Sequence, residues 1–253
     1  MLRPSFIIPQ FHRSIILLLR YSIFPHLTRP VRLQLSQFFW GMFLKKGHTF
    51  VSRIIPMAPE PEKKHVCPWW IGYFLLFPLR RFAQSPKKIL TPFVRDGMTV
   101  LEVGPGMGFF SLTLARMVGG SGKVICVDVQ DKMLEKLKGR AQKAGLDDRI
   151  TTIQAANNSL RIDAYANGVD FALAFAVVHE VPDEGSLFEQ VSRSMKPGAL
   201  LLFSEPTGHV TEDDFRTSIE LACSKGLEEE TTLHIMRSHS ILLRKKGTAN
   251  NAV

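Results

Sequence analysis

The chain has 253 residues, 45% of them hydrophobic and 22% charged. That length holds one full α/β domain with an appendage and a substantial core. Three cysteines, Cys67, Cys126 and Cys223, are too few and too scattered for a disulfide framework or a zinc site, so a reducing, cytoplasmic setting is expected and no metal. The formal charge of +9 invites a nucleic-acid partner until it is mapped. Residues 1–59 hold Arg3, Arg13, Arg20, Arg29, Arg32, Lys45, Lys46 and Arg53 and no acidic residue. The remainder carries 24 basic against 23 acidic residues, so the body is nearly neutral and no nucleic-acid partner is expected.

In chain order, the basic N-terminal segment is apolar and interrupted by Pro4, Pro9, Pro25, Pro30 and Pro56, which breaks any long helix. Its longest aliphatic run, Ile15 to Leu19, is far short of the ~20 residues that span a bilayer. Three readings stay open for it. It is an extension outside the functional fold, with Met57 opening a polar start; an acid-poor targeting peptide; or a membrane-surface anchor built of basic and aromatic residues. The charged stretch Glu60 to Lys64 marks the boundary, giving an extension over 1–59 and a domain over 60–253. Val66 to Phe82 (VCPWWIGYFLLFPLRRF) is apolar and aromatic with a basic end. It is either a helix packed on the domain or a pocket wall in which Trp69, Trp70 and Tyr73 favour a flat or lipophilic ligand. Peripheral membrane contact through 1–56 or 66–82 fits the same composition. Ser85 and Pro86 read as cap and first residue of a helix to Val94, completing a helical cap over 66–95.

The next stretch, TVLEVGPGMGFFSLTLARMV (Thr99 to Val118), organises the rest. Thr99 to Val103 reads as a buried strand, Gly104, Gly106 and Gly108 as a turn, and Leu112, Leu114, Ala115 and Val118 as the apolar stripe of a helix. Strand, glycine turn and helix bring backbone N–H groups close to a nucleotide-like ligand. The dinucleotide fingerprint needs a glycine where this chain has Phe109, and Glu102 at the strand end repels a pyrophosphate. A carboxylate there suits the ammonium group of a methionine moiety. This favours S-adenosylmethionine over a nicotinamide dinucleotide.

At these residues the chain resembles the class I S-adenosylmethionine-dependent methyltransferases, over about 92–246. It is most similar to the small-molecule branch that includes the ubiquinone/menaquinone methyltransferases. The resemblance implies a Rossmann-like seven-stranded sheet, mostly parallel with an antiparallel C-terminal strand and helices on both faces. It also implies S-adenosylmethionine as cofactor, with Glu102, Gly104, Pro105, Gly106, Gly108, Asp128, Val129, Asn157 and Phe175 around it.

Lys123 to Val129 is the second strand. Asp128 follows Gly104 by 24 residues, close to the ~20-residue spacing at which a carboxylate meets ribose hydroxyls. Gln130 to Ala144 is an amphipathic helix with Met133, Leu134, Leu137 and Ala141 inward, closed by Gly145. Ile150 to Ala155 is the third strand. Where the resembled family presents an acid to adenine, this chain has Ala155-Ala156-Asn157-Asn158, and Asn157 is the expected substitute.

Val169 to Ala176 is the fourth strand and leads into Val177-Val178-His179-Glu180. His179 is read either as a general base or as an orienting residue. Asp183 caps the next helix. Lys196-Pro197-Gly198 reads as a turn into the fifth strand, Ala199 to Phe203, which delivers Glu205 and then His209 to the same edge. Without tight ligand spacing these groups read as substrate-orienting polar residues rather than a metal site. Thr211-x-x-Asp214 resembles a capping box, and Leu227 to Ile235 and His239 to Arg244 supply a terminal hairpin.

The sequence thus points to methyl transfer onto a small, apolar or aromatic acceptor. A non-catalytic partner of the same fold, and a methyltransferase acting on protein or RNA, stand as alternatives.

Overall fold

The computed structural model describes residues 84–156 and 158–247. The N-terminal segments, the expected boundary near residue 60, Trp69, Trp70, Tyr73, Asn157 and the last six residues lie outside them.

Seven strands form one sheet in the order β3-β2-β1-β4-β5-β7-β6. They are β1 Thr99–Val103, β2 Lys123–Asp128, β3 Ile150–Gln154, β4 Val169–Phe175, β5 Met195–Pro206, β6 Leu227–Thr232 and β7 Ser238–Lys245. β1 to β5 pair in parallel, and β7 runs antiparallel to both β5 and β6. Sequence order reverses between β1 and β4, and in an open α/β sheet ligands collect at the carboxyl ends of the strands at such a reversal.

The two faces follow from strand alternation. Val100, Cys126, Leu173 and Phe175 lie on one face with α1 (Pro86–Leu90), α2 (Ser111–Met117) and α3 (Asp131–Lys143), through Leu90, Leu114 and Leu137. Leu101, Val103, Ile125, Ala172 and Phe203 lie on the other with α4 (Glu184–Ser194) and α5 (Glu212–Ser224), through Phe188, Val191, Phe215 and Ile219. The inward stripe expected of α3, namely Met133, Leu134, Leu137 and Ala141, is buried. Asp183 caps α4 by accepting from Ser186 N–H, and Thr211 caps α5 by accepting from Asp214 N–H.

Two local expectations are corrected. α1 ends at Leu90 rather than Val94, and Ser85 makes no side-chain cap bond. Pro92 has no N–H with which to extend the helix, and Phe93 and Val94 both donate to the Leu90 carbonyl instead. Lys196-Pro197-Gly198 belongs to β5, as an irregularity between the pairs Val169–Met195 and Phe171–Leu200. Gly198, with φ 78°, absorbs the kink.

Candidate active site

The loop between β1 and α2 uses its three glycines in two ways. Gly104, Gly106 and Gly108 all have positive φ, at 68°, 53° and 84°, a region that glycine enters without a Cβ penalty. A Cβ on Gly104 would stand closer than 3.0 Å to Val177 Cγ2, and one on Gly108 equally close to Leu137 Cδ1. Those two positions let the loop pack against the end of β4 and against α3. Among the described residues a Cβ on Gly106 would meet nothing within 4 Å, unlike its two neighbours in the loop. Pro105 supports the turn by accepting from Gly108 N–H at 2.9 Å.

Asp128, at the carboxyl end of β2, fastens this loop. Its Oδ2 accepts from Gly106 N–H at 3.2 Å and its Oδ1 from Gln130 N–H at 2.9 Å. Burial raises its proton affinity, while the backbone N–H groups of Gln130, Gly106 and Val129 oppose that shift. Beside it Val129 is 48% exposed, an apolar surface next to a carboxylate. Phe175, at the end of β4, packs its ring 4.7 Å from that of Phe110.

Glu102 is only 3% exposed. Its Oε2 accepts from Ser111 Oγ at 2.6 Å and from Cys126 Sγ at 3.7 Å. Loss of solvent raises its pKa to about 7; the bonds from Ser111 and Cys126 pull it down, and the Asp128 charge pushes it up. The carboxyl therefore lies beneath the glycine loop, under the first turn of α2, with no cationic partner among the described residues.

The second half of the site is built on the far side of Val177. Ala176 adopts φ 57°, a left-handed conformation that strains a residue bearing a Cβ. The resulting turn aims two amides at Glu205, whose Oε1 accepts from Val178 N–H at 2.7 Å and Val177 N–H at 3.3 Å. Oε2 of the same carboxylate is hydrogen-bonded to His179 Nδ1. Glu205 is 2% exposed, and the His179 side chain is about one-quarter exposed. His179 Nε2 lies 4.0 Å from Glu180 Oε1. The His209 ring lies nearly parallel to that of His179 at 5.8 Å. Burial, then the neighbouring His179, lowers the proton affinity of His209, while Glu205 works the other way.

The structure thus gathers Gly104, Gly106, Gly108, Asp128, Phe175, His179 and Glu205 along the carboxyl ends of β1, β2, β4 and β5. Ser111, as the donor to Glu102, and the Val177 and Val178 amides were not singled out from the sequence. The signal for Ser111 is a hydroxyl at the first helical position, nine residues after a strand carboxylate. The amides leave no trace in residue type.

A family model described as a methyltransferase domain matches residues 94–242. The chain belongs to the class I S-adenosylmethionine-dependent methyltransferases. It is 31% identical over 116 residues to the ubiquinone/menaquinone biosynthesis C-methyltransferase UbiE of Haemophilus ducreyi, covering 45% of this chain and 44% of that protein. The match to the protein of the same name from Hahella chejuensis is 31% over 121 residues, covering 46% and 47%. The chain thus spans less than half the length of these curated relatives. A solved structure, a SAM-dependent methyltransferase from Aquifex aeolicus, superposes with a TM-score of 0.64 at 26% identity, covering 71% of this chain and 100% of that one.

S-adenosylmethionine is the methyl donor that this family implies, and the residues present fit it. Among the described residues the Gly106 side of the loop has no neighbour; Asp128 would meet the ribose hydroxyls, and Glu102 would be the counter-charge for an ammonium group. When bound, the donor supplies an electrophilic methyl group on a sulfonium. The chain's own task is then to orient the reactants and exclude water.

Proposed function

We propose that the protein transfers a methyl group from S-adenosylmethionine to a small, apolar or aromatic acceptor. The observation that carries this reading is the cradle of Glu102, Gly106 and Asp128. Asp128 fastens the loop and Glu102 lies buried beneath it, so two carboxyl groups stand close to that backbone, a charge pattern that suits a cationic nucleoside and opposes a diphosphate. Gly104, Pro105 and Gly108 shape the loop, Asp128 holds the ribose, Val129 and Phe175 offer apolar surface to the nucleoside, and Asn157 serves the adenine edge.

Two considerations support a small acceptor. The curated relatives are named as C-methyltransferases of ubiquinone and menaquinone biosynthesis, and ubiquinone and menaquinone are small molecules. The strand-end groups described above leave room for a reaction that needs alignment and few catalytic side chains. Among the described residues no helix is long and apolar enough to cross a membrane. We place the enzyme in the cytoplasm, with the segment 1–56 or 66–82 as its means of touching a membrane surface.

Calorimetry of the folded full chain with S-adenosylmethionine tests the donor; absence of binding overturns the reading. Mass spectrometry of a metabolite extract incubated with the protein and methyl-deuterated donor tests the acceptor. A labelled product that partitions into organic solvent is expected. Label appearing only in protein or RNA overturns the small-molecule assignment.

A further inference from the structure

We infer that the outer surface of the α1–α2–α3 layer is an electrostatic docking surface for a bilayer carrying anionic phospholipid headgroups. This contact is separate from segments 1–56 and 66–82 and does not depend on the methyl-transfer reading.

The near-neutral sum of the body hides a segregation of charge. Residues 84–156, which build β1 to β3 with α1, α2 and α3, hold eleven basic and seven acidic residues. Two of those acids, Glu102 and Asp128, belong to the glycine-loop site. Residues 158–247, which build the remaining strands with α4 and α5, hold nine basic and fourteen acidic residues. Because α1, α2 and α3 cover one face of the sheet and α4 and α5 the other, the difference in charge falls across the sheet.

Pairing sharpens the contrast. On the acidic side Arg216 is paired with Glu229 and Glu220, Arg244 with Glu230, and Lys225 with Glu189. On the other side Lys87 and Lys88 of α1 and Lys136, Lys138 and Lys143 of α3 are exposed. Among the described residues their ammonium groups make no hydrogen bond or ion pair. The exposed acids there are Asp96, Asp131, Glu135, Asp147 and Asp148, fewer than the cations. Like charges left unpaired over one layer repel each other and draw in a polyanion.

The choice of lysine decides which polyanion. Arg95 donates to the Thr91 carbonyl, and Arg116, Arg140 and Arg149 likewise donate to main-chain carbonyls. Nucleic-acid recognition relies on arginine forks that grip phosphates and, on single strands, on exposed aromatic rings. The forks of this layer are engaged with the backbone, and among the described residues no Phe, Tyr or Trp is exposed. What remains is a set of ammonium point charges on flexible stems, spread over two helices. A leaflet of mobile anionic headgroups adapts to such a pattern, and each basic residue near it is worth about fivefold in partition. The acidic layer, with Glu212, Asp213 and Asp214 in the first turn of α5, is repelled by the same leaflet. The domain therefore settles with α1 to α3 towards the lipid.

Sedimentation of the full chain with vesicles tests this, using phosphatidylcholine alone or with roughly one-third phosphatidylserine. Binding to the mixed vesicles only, weakening as salt rises, is expected. The combined change Lys136→Gln, Lys138→Gln and Lys143→Gln should lower the partition by about 10²-fold. Adding Lys87→Gln and Lys88→Gln should lower it further. Changing the same three α3 lysines to arginine should leave it near wild type, since the charge is kept. A control that removes equal charge outside the layer, Arg161→Gln with Arg193→Gln and Lys246→Gln, should stay within about threefold of wild type. All of these positions are exposed, and glutamine matches lysine in helix propensity. Calorimetry with S-adenosylmethionine on the same preparations should give wild-type donor affinity in every variant, which keeps the readout apart from the glycine loop.

Four results overturn the proposal. One is no binding of the wild type to the mixed vesicles. Another is unchanged binding in the α3 variant, which assigns the attraction to residues outside the layer, such as the basic segment 1–59. A third is an equal loss in the control, which makes net charge alone the cause. The last is tighter binding to RNA than to vesicles at the same salt, lost in the same α3 variant, which assigns the layer to nucleic acid.

Discussion

Gly104 and Val177 are in a contact that only glycine permits: a Cβ on Gly104 would stand closer than 3.0 Å to Val177 Cγ2 and its neighbour Cβ. The donor loop and the strand end that carries His179 are therefore held together by the absence of one methyl group. Gly104→Ala adds that group at φ 68°, where a side chain is strained whatever the space. We expect stability to fall by about 1–3 kcal/mol and donor affinity to fall at least about tenfold, which corresponds to ~1.4 kcal/mol. Urea unfolding and calorimetry on the same preparation check both. Gly106→Ala, at the position of the same loop where a Cβ meets none of the described residues, should leave stability closer to wild type while still weakening the donor.

Glu102 gives stability a pH dependence of defined sign. Its folded pKa of about 7 lies above the ordinary carboxylate value of 4.5, so between those two pH values the native state binds more protons than the unfolded chain. Stability from this group is therefore full below about pH 4.5 and is lost as pH rises through 7, by about 3 kcal/mol in total. Urea titrations from pH 4.5 to 8 are expected to show that decline in the wild type and its removal in Glu102→Gln. An ammonium group brought near Glu102 favours its ionised form, so donor binding near pH 7 should release protons. Calorimetry in buffers of different ionisation enthalpy measures that release.

Asp128→Asn keeps the shape of the side chain but removes one acceptor from a group that now serves both Gly106 and Gln130. Donor binding should weaken by about 10–100-fold, in line with the loss of a charge-assisted bond to a hydroxyl. A donor analogue without ribose hydroxyls should lose much less in the variant than in the wild type, and the double comparison isolates the ribose contact.

Thr211→Ala tests the fold apart from the site. Thr211 accepts from Asp214 N–H at 3.1 Å and donates to Asp214 Oδ2 at 2.7 Å at the start of α5. Its loss should cost about 1 kcal/mol, read as a shift in the urea midpoint, with donor affinity unchanged.

The strands were legible because four of them, β1, β2, β4 and the inner part of β5, are near-continuous apolar runs covered on both faces, broken by Glu102 in β1 and Asp170 in β4, the pattern of a buried parallel sheet. The glycine spacing and the carboxylate at Asp128 were legible because loop geometry demands those residue types at those intervals. The length of α1 is hidden in the sequence because Pro92 acts on the helix from two residues beyond its end. The kink at Gly198 was hidden because a lysine-proline-glycine run reads as a turn whether or not its flanks pair in a sheet. The contact of Glu205 with His179 joins residues 26 apart in the chain; the sequence places both on one edge but says nothing of which atoms meet. Ser111 escaped notice for the same reason, since its partner becomes visible only once α2 is laid over β1.

Ala176 gives the site its mechanical character. A left-handed alanine costs on the order of 1–2 kcal/mol, and the molecule accepts that penalty at the one bend from which two consecutive amides converge on a single carboxylate. Replacing Ala176 by glycine would relieve the strain and add conformational freedom in the same stroke. The chain at this corner is a sprung hinge, kept tense three residues ahead of the His179 imidazole.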